Sequence, residues 1–339
     1  MDQINSLPRV IWGLLVALIL VLFAFNAQIS RFLGATGDEH DQHIMVVGTN
    51  LWPGYEPLYL AQEWGILNPS KIHLIEFSSA SKVIRAFQNG MIQAAALTLD
   101  EAALLKAKGL PLSIILVMDI SHGGDVLLAK PQIKSPEQLK GKRIGLEESA
   151  VGAYVLSRFL EIHHIKENEV TIVPLDVDQH QEAYLQDRVD AVITFEPVRS
   201  HLLAKGAREL FSSKDIPGEI MDVLVADPQM LQKHGEEFNH LVQAWMKALK
   251  RMEGDRPGAT QILAQRMNLP PEEVWDCYEG LILPDLEQNL QYLSGSSPKI
   301  QQQIDALMNM MVKKQLIAGI SDWDDSVASG PIQSIGERL

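Results

Sequence analysis

HIMVVGTNLWPGYEPLYLAQEWGIL, residues 43–67, holds the pattern that the following chain repeats. HIMVVGT is short, apolar and β-branched at its centre, as a buried strand requires. EPLYLAQEWGIL carries Leu58, Ala61, Trp64 and Gly65 near one face at helical spacing. Between the two stands Trp52-Pro53-Gly54-Tyr55, a turn with two aromatic rings, followed at once by the carboxylate of Glu56. Pro53 and Gly54 shape the turn, which leaves Trp52 and Tyr55 to offer flat apolar faces and Glu56 to attract a cation.

Strands and helices go on alternating. KIHLIEF reads as a strand and SASKVIRAFQNG as a helix, with Ser79 or Ser81 as N-cap and Gly90 as C-cap. IQAAALTL, DEAALLKAKG and LSIILVMDI add strand, helix and strand, which defines an α/β unit with a largely parallel sheet. From residue 126, VLLAK opens a second series with strands in RIGLE, VTIVPL and DAVITF and helices between them. MDVLVA, residues 221–226, is a further apolar strand, and from Pro228 onward the pattern is almost wholly helical. A small α/β unit bracketed by two apolar strands predicts one domain inserted into another, so that the chain crosses between them twice. Residues 323–339 read as a loosely packed C-terminal tail.

The chain has 339 residues, with 43 acidic against 29 basic and no stripe of Lys or Arg, so nucleic acid is not an expected partner. Its single cysteine, Cys277, cannot form an internal disulfide, and no Cys/His spacing indicates a metal site. Residues 10–25, VIWGLLVALILVLFAF, form an uncharged apolar run, extending to residue 29 with weaker members. Weak positive flanking charge and an exit lacking small residues at both cleavage positions favour an uncleaved anchor over a cleaved signal, with the globular part outside the cytoplasm. Residues 1–37 are thus read as anchor and linker, spanning the membrane through residues 10–29.

The order of WPGYEPLYLAQEWGIL, EFSSASKVIRAFQNGMIQAAALT, SHGGDVLLAK, IKSPEQLKGKRIGLEESAVGAYVL, DRVDAVITFEPV and ILPDLEQNLQYL resembles the nitrate/sulfonate/taurine and thiamine-precursor family of substrate-binding proteins of ABC transporters. The resemblance covers residues 44–322 and implies a type II periplasmic-binding fold of two lobes with the ligand between them. Lobe one would comprise residues 44–125 and 225–322, lobe two residues 126–224, with VLLA and VLVA as hinge strands. A monomer on the periplasmic side of the inner membrane, serving an ABC permease, is what such a resemblance implies.

Ligands in open α/β sheets bind beyond the carboxyl ends of strands. The candidate ligand contacts are therefore Trp52, Tyr55, Glu56, Thr98 and Asp100 from lobe one, Ser121 and Gly124 near the crossing, and Ser149, Thr194 and Glu196 from lobe two. Ser149 reads as an N-cap, and Thr194-Phe195-Glu196 stands at a strand end. The same loops hold Asp125, Glu147 and Glu148 but no Lys or Arg. An oxyanion is usually recognised by bidentate Arg, so the loops point to a cationic or heterocyclic small molecule rather than nitrate, taurine or a sulfonate, unless a remote Arg such as Arg199 folds in.

Two other classes compete. A tethered binding module can also serve a membrane signalling partner as a sensor, and fold does not choose between the two. An enzyme like the related pyrimidine synthases would need a cysteine-rich iron motif, which Cys277 alone cannot supply, and no other catalytic motif or cofactor loop is present. The expectation is a binding protein and not an enzyme.

Overall fold

The computed structural model of the chain describes residues 44–149 and 151–336. The expected membrane segment at residues 10–29 lies outside them, and no helix among the described residues is long and apolar enough to cross a membrane.

The quoted stretch forms β1 (Met45–Asn50), a single 3-10 turn (Pro53–Tyr55) and α1 (Glu56–Glu63). β2 (Ile72–Phe77), α2 (Ala80–Gln88), β3 (Ala94–Thr98), α3 (Leu99–Ala107) and β4 (Ser113–Ser121) follow in the expected alternation. After a first crossing come β5 (Val126–Ala129), β6 (Arg143–Leu146), α4 (Val151–Ile162), β7 (Thr171–Pro174), α5 (Val177–Leu185), β8 (Ala191–Thr194), α6 (Val198–Ala204) and β9 (Arg208–Ser212). A second crossing leads to β10 (Met221–Ala226), then α7 (Pro228–Lys233), α8 (Gly235–Gly254), α9 (Arg256–Met267), β11 (Leu281–Ile282), α10 (Leu286–Leu293), α11 (Lys299–Lys313) and α12 (Gly330–Gly336).

The strands make two sheets, ordered β11-β4-β10-β3-β1-β2 and β7-β6-β8-β5-β9. β1 runs parallel to β2 and β3, and β6 runs parallel to β7 and β8. β10 and β5, the strands that follow the two crossings, are antiparallel to their neighbours, so each sheet is mixed rather than wholly parallel. Both are central and buried along their whole length, which is why their sequences are uninterruptedly apolar apart from Asp222.

VLLA and VLVA, read as hinge strands, lie within the two sheets, and the chain passes between the sheets through the loops at residues 122–125 and 213–220; Met221 to Leu224, assigned to lobe two from the sequence, pair within the six-stranded sheet of lobe one. The crossings are lashed together by Ser121 Oγ and Ser213 Oγ at 2.8 Å, by the Gly123 N–H donating to Ser213 Oγ, and by the Ser213 N–H donating to the Asp125 carbonyl. The C-terminal segment is also not loose. Trp323, Ile332 and Ile335 are buried, and Ile114 of β4 exchanges backbone hydrogen bonds with Ser326 and Ala328, so this segment seals one edge of lobe one.

Candidate functional site

The lobe-one wall is built at the ends of β1 and β3. Trp52 is extended and Pro53 then turns the chain, which sends both rings of the turn inward. Trp52 Nε1 donates to Asp119 at 3.0 Å, and the Tyr55 hydroxyl donates to Asp222. Gly54 is required because a Cβ there would lie 1.9 Å from Asp119 Oδ2. Asp119 and Asp222 face each other across β4 and β10. Burial pushes Asp119 up to about 8, and burial followed by the charge of Asp119 raises Asp222 as well, so near neutral pH the pair retains a proton. At α3, Glu101 turns back to accept the N-cap Thr98 N–H at 3.0 Å, while its other oxygen accepts the Val151 N–H of lobe two at 3.3 Å.

The lobe-two wall comes from the ends of β6 and β8 and from α5. Glu147 follows β6 and accepts the Ser81 N–H of lobe one at 2.7 Å. His180 is buried, with Nδ1 3.2 Å from Thr194 Oγ1, and burial lowers it to about 4, so its ring is neutral. Phe195 meets Trp52 edge to face across the lobes, with ring centroids 5.4 Å apart.

These walls enclose a cavity of about 500 Å³ including its opening to solvent. The lining includes Trp52, Tyr55, Phe195, Thr98, Thr194 and His180, four carboxylates (Glu101, Asp125, Glu147 and Asp222), and no Lys or Arg. Burial raises all four acids, Asp125 to about 7.

Of the residues expected from sequence, the structure brings Trp52, Tyr55, Thr98 and Thr194 together at this cavity and places six elsewhere. Glu56 is fully buried in a bidentate pair with Arg266, at 2.5 and 3.0 Å, because the 3-10 turn rotates it behind the rings. Asp100 is buried behind the lining, hydrogen-bonded to Thr98, and burial raises it to about 6; its neighbour Glu101 lines the cavity instead. Ser121 ties the crossings, and Gly124 packs under Trp52, where a Cβ would stand 2.7 Å from the indole. Ser149 meets Ser81 Oγ across the outer mouth of the cleft. Glu196, before a cis Pro197, accepts from Arg199 at 2.9 Å and from Ser200, so Arg199 does not reach the cavity.

Sequence reasoning missed Glu101, His180 and Asp222 as cavity residues and Asp119 as the group behind the rings. An aspartate inside an otherwise apolar strand, as in MDVLVA and ILVMDI, was the available signal for the last two. His180 gave none. Cys277 is buried, and burial pushes its thiol up to about 12, which makes it an inert core residue. Among the described residues no group of His, Cys, Asp and Glu is arranged to hold a metal ion.

Two α/β lobes joined by two crossings, with a polar and aromatic cavity between them, define a two-lobed binding architecture. The chain belongs to the NMT1/THI5-like family, whose model matches residues 52–255. It is 26% identical to the taurine-binding periplasmic protein of Escherichia coli (strain K12) over 176 residues, which are 51% of this chain and 53% of that protein, so it spans about half the length of that relative. The fold matches the alkanesulfonate-binding protein of Xanthomonas axonopodis pv. citri bound to MOPS, at TM-score 0.68 and 20% identity over 80% of this chain and 93% of that one. It matches the periplasmic aliphatic sulphonate-binding protein of Escherichia coli at TM-score 0.67 and 18% identity, over 84% and 97% of the two chains. The resemblance read from the sequence, to the nitrate/sulfonate/taurine and thiamine-precursor family, agrees with these matches. The expectation of a binding protein rather than an enzyme agrees with these relatives, although the desulfurization enzyme DSZB shares the fold at TM-score 0.64 and 15% identity over 87% of this chain and 99% of that one.

Proposed function

We propose that the protein is an extracytoplasmic solute-binding protein of an ABC importer, held at the membrane by residues 10–29, whose lobes close on a small cationic or heterocyclic molecule. The observation that carries the ligand class is the lining of the cavity: four carboxylates face it with no Lys or Arg beside them. A sulfonate there would meet buried negative charge and no fork of donors. A cation with a flat apolar body would stack against Trp52, Tyr55 and Phe195 and supply the charge that the acids lack. The relatives named above bind taurine or sulfonates by description; this chain would share their fold and closing motion while differing in the sign of the solute.

Closure follows from contacts to both lobes that exist only when they meet, so a bound solute shifts the population toward the closed form that a permease engages. The test is a thermal-shift series on the full-length chain with benzamidinium, 4-aminopyridinium, phenethylammonium, taurine and nitrate. A compound that binds only the folded state raises Tm as its concentration exceeds Kd. The expected result is a rise with one or more of the cations and none with taurine or nitrate; a rise with the anions alone would reverse the ligand class.

A further inference from the structure

Four carboxylates line the cavity, yet their oxygens are not equally engaged. Both oxygens of Glu101 are taken, one by the Thr98 N–H and one by the Val151 N–H. Glu147 differs. Its Oε1 accepts the Ser81 N–H at 2.7 Å, across the gap from lobe two to the start of α2 in lobe one, while Oε2 is buried with no hydrogen-bond partner. Glu147 is 5% exposed, and the buried Ser79 hydroxyl near it is a minor donor toward it that favours its ionised form. It lines both the inner cavity and the outer mouth where Ser81 meets Ser149, so it stands in the wall through which a solute passes. An orphaned carboxylate oxygen in such a place costs free energy until a donor arrives.

We propose that Glu147 couples solute to closure: Oε1 holds lobe one through the Ser81 N–H, and Oε2 takes an N–H donor of a bound ammonium, amidinium or protonated heterocycle. A cation at Oε2 keeps the carboxylate ionised against the burial that favours its neutral form, and an ionised carboxylate is the stronger acceptor for Ser81. One side chain thereby reads the solute and fastens the lobes. Specificity follows too, since a solute offering only acceptors would leave Oε2 unpaired or repel it. This inference rests on the cationic reading of the cavity.

The test uses the full-length chain as wild type, Glu147→Gln and Glu147→Ala, with benzamidinium, 4-aminopyridinium and phenethylammonium as probes. Calorimetry gives Kd and small-angle scattering gives the radius of gyration with and without each probe. Glu147→Gln keeps an acceptor for Ser81 but replaces the second oxygen with a donor. The expected result is an unliganded radius equal to that of the wild type, with cation affinity weakened about tenfold to a hundredfold and no further compaction on adding the probe. Glu147→Ala should lose the same affinity and also expand without ligand, its melting curve reporting whether it folds. Wild-type affinity within about twofold in Glu147→Gln overturns the proposal and leaves the cationic cavity standing. Failure of all three probes to bind the wild type overturns the cationic reading and this proposal with it.

Discussion

Glu56 and Glu196 stand in opposite lobes, each next to a residue of an aromatic loop that lines the cavity, and each is turned away from it and paired with an arginine, Arg266 or Arg199. Glu101, Asp125, Glu147 and Asp222 face the cavity, and among the described residues none of them forms an ion pair with Lys or Arg. The difference is one of supply. Glu56 and Glu196 each have a cation built into the fold, whereas the four acids of the cavity have none and burial raises them all.

The largest effect expected is on the paired side. Arg266→Ala leaves Glu56 buried without its partner and removes a guanidinium stacked 3.5 Å from the Tyr59 ring centre, so urea denaturation should show a loss of about 3 kcal/mol. Cation binding, measured below the melting point, should survive. A loss of binding at unchanged stability would break the division into structural and solute-facing acids.

On the unpaired side, Asp222→Asn and Asp125→Asn should each weaken cation binding by about 1.5–3 kcal/mol, the range for a hydrogen bond to a charged group. Calorimetry at pH 8, where more of the acids are ionised, gives the clearest reading. Trp52→Phe keeps a ring at the cavity but strips Asp119 of its donor, and should lower stability by about 1–3 kcal/mol.

Next comes pH. The folded-state values of Asp119 and Asp125 lie above their unfolded values, so the stability they confer is complete below about pH 4 and is lost as pH rises through about 7 to 8. The melting temperature of the unliganded chain should therefore fall between pH 5 and 8. Asp119→Asn, which can still accept from Trp52, should flatten that fall and gain stability at pH 8.

The smallest effect belongs to the rim, where Lys313 and Lys314 of lobe one reach Glu161 of lobe two at 2.8 and 2.9 Å. Lys313 is largely exposed, so Lys313→Ala should cost less than about 1 kcal/mol and act mainly by making closure less sensitive to salt.

The strand and helix order was legible because apolar periodicity dictates it locally, and so were the loops at the strand ends. Which side chain of each loop faces the cavity was not. In residues 50–56 the single 3-10 turn decides that Trp52 and Tyr55 point in and Glu56 points away, and the Arg266 that receives it lies 210 residues further along the chain. At residues 98–101 the capping geometry of Thr98 selects Glu101 over Asp100, a difference of one residue. Asp119 and Asp222 were hidden in strands that otherwise read as core, since their meaning arises only when β4 and β10 lie side by side.

The most direct measurement is the melting-temperature rise produced by benzamidinium on the full-length chain, followed from pH 6 to pH 8. If a cation replaces protons on the buried acids, the rise grows with pH as Asp125 and its neighbours ionise. A rise that is flat or shrinks with pH, or one produced by taurine instead, would contradict a cavity built to receive positive charge.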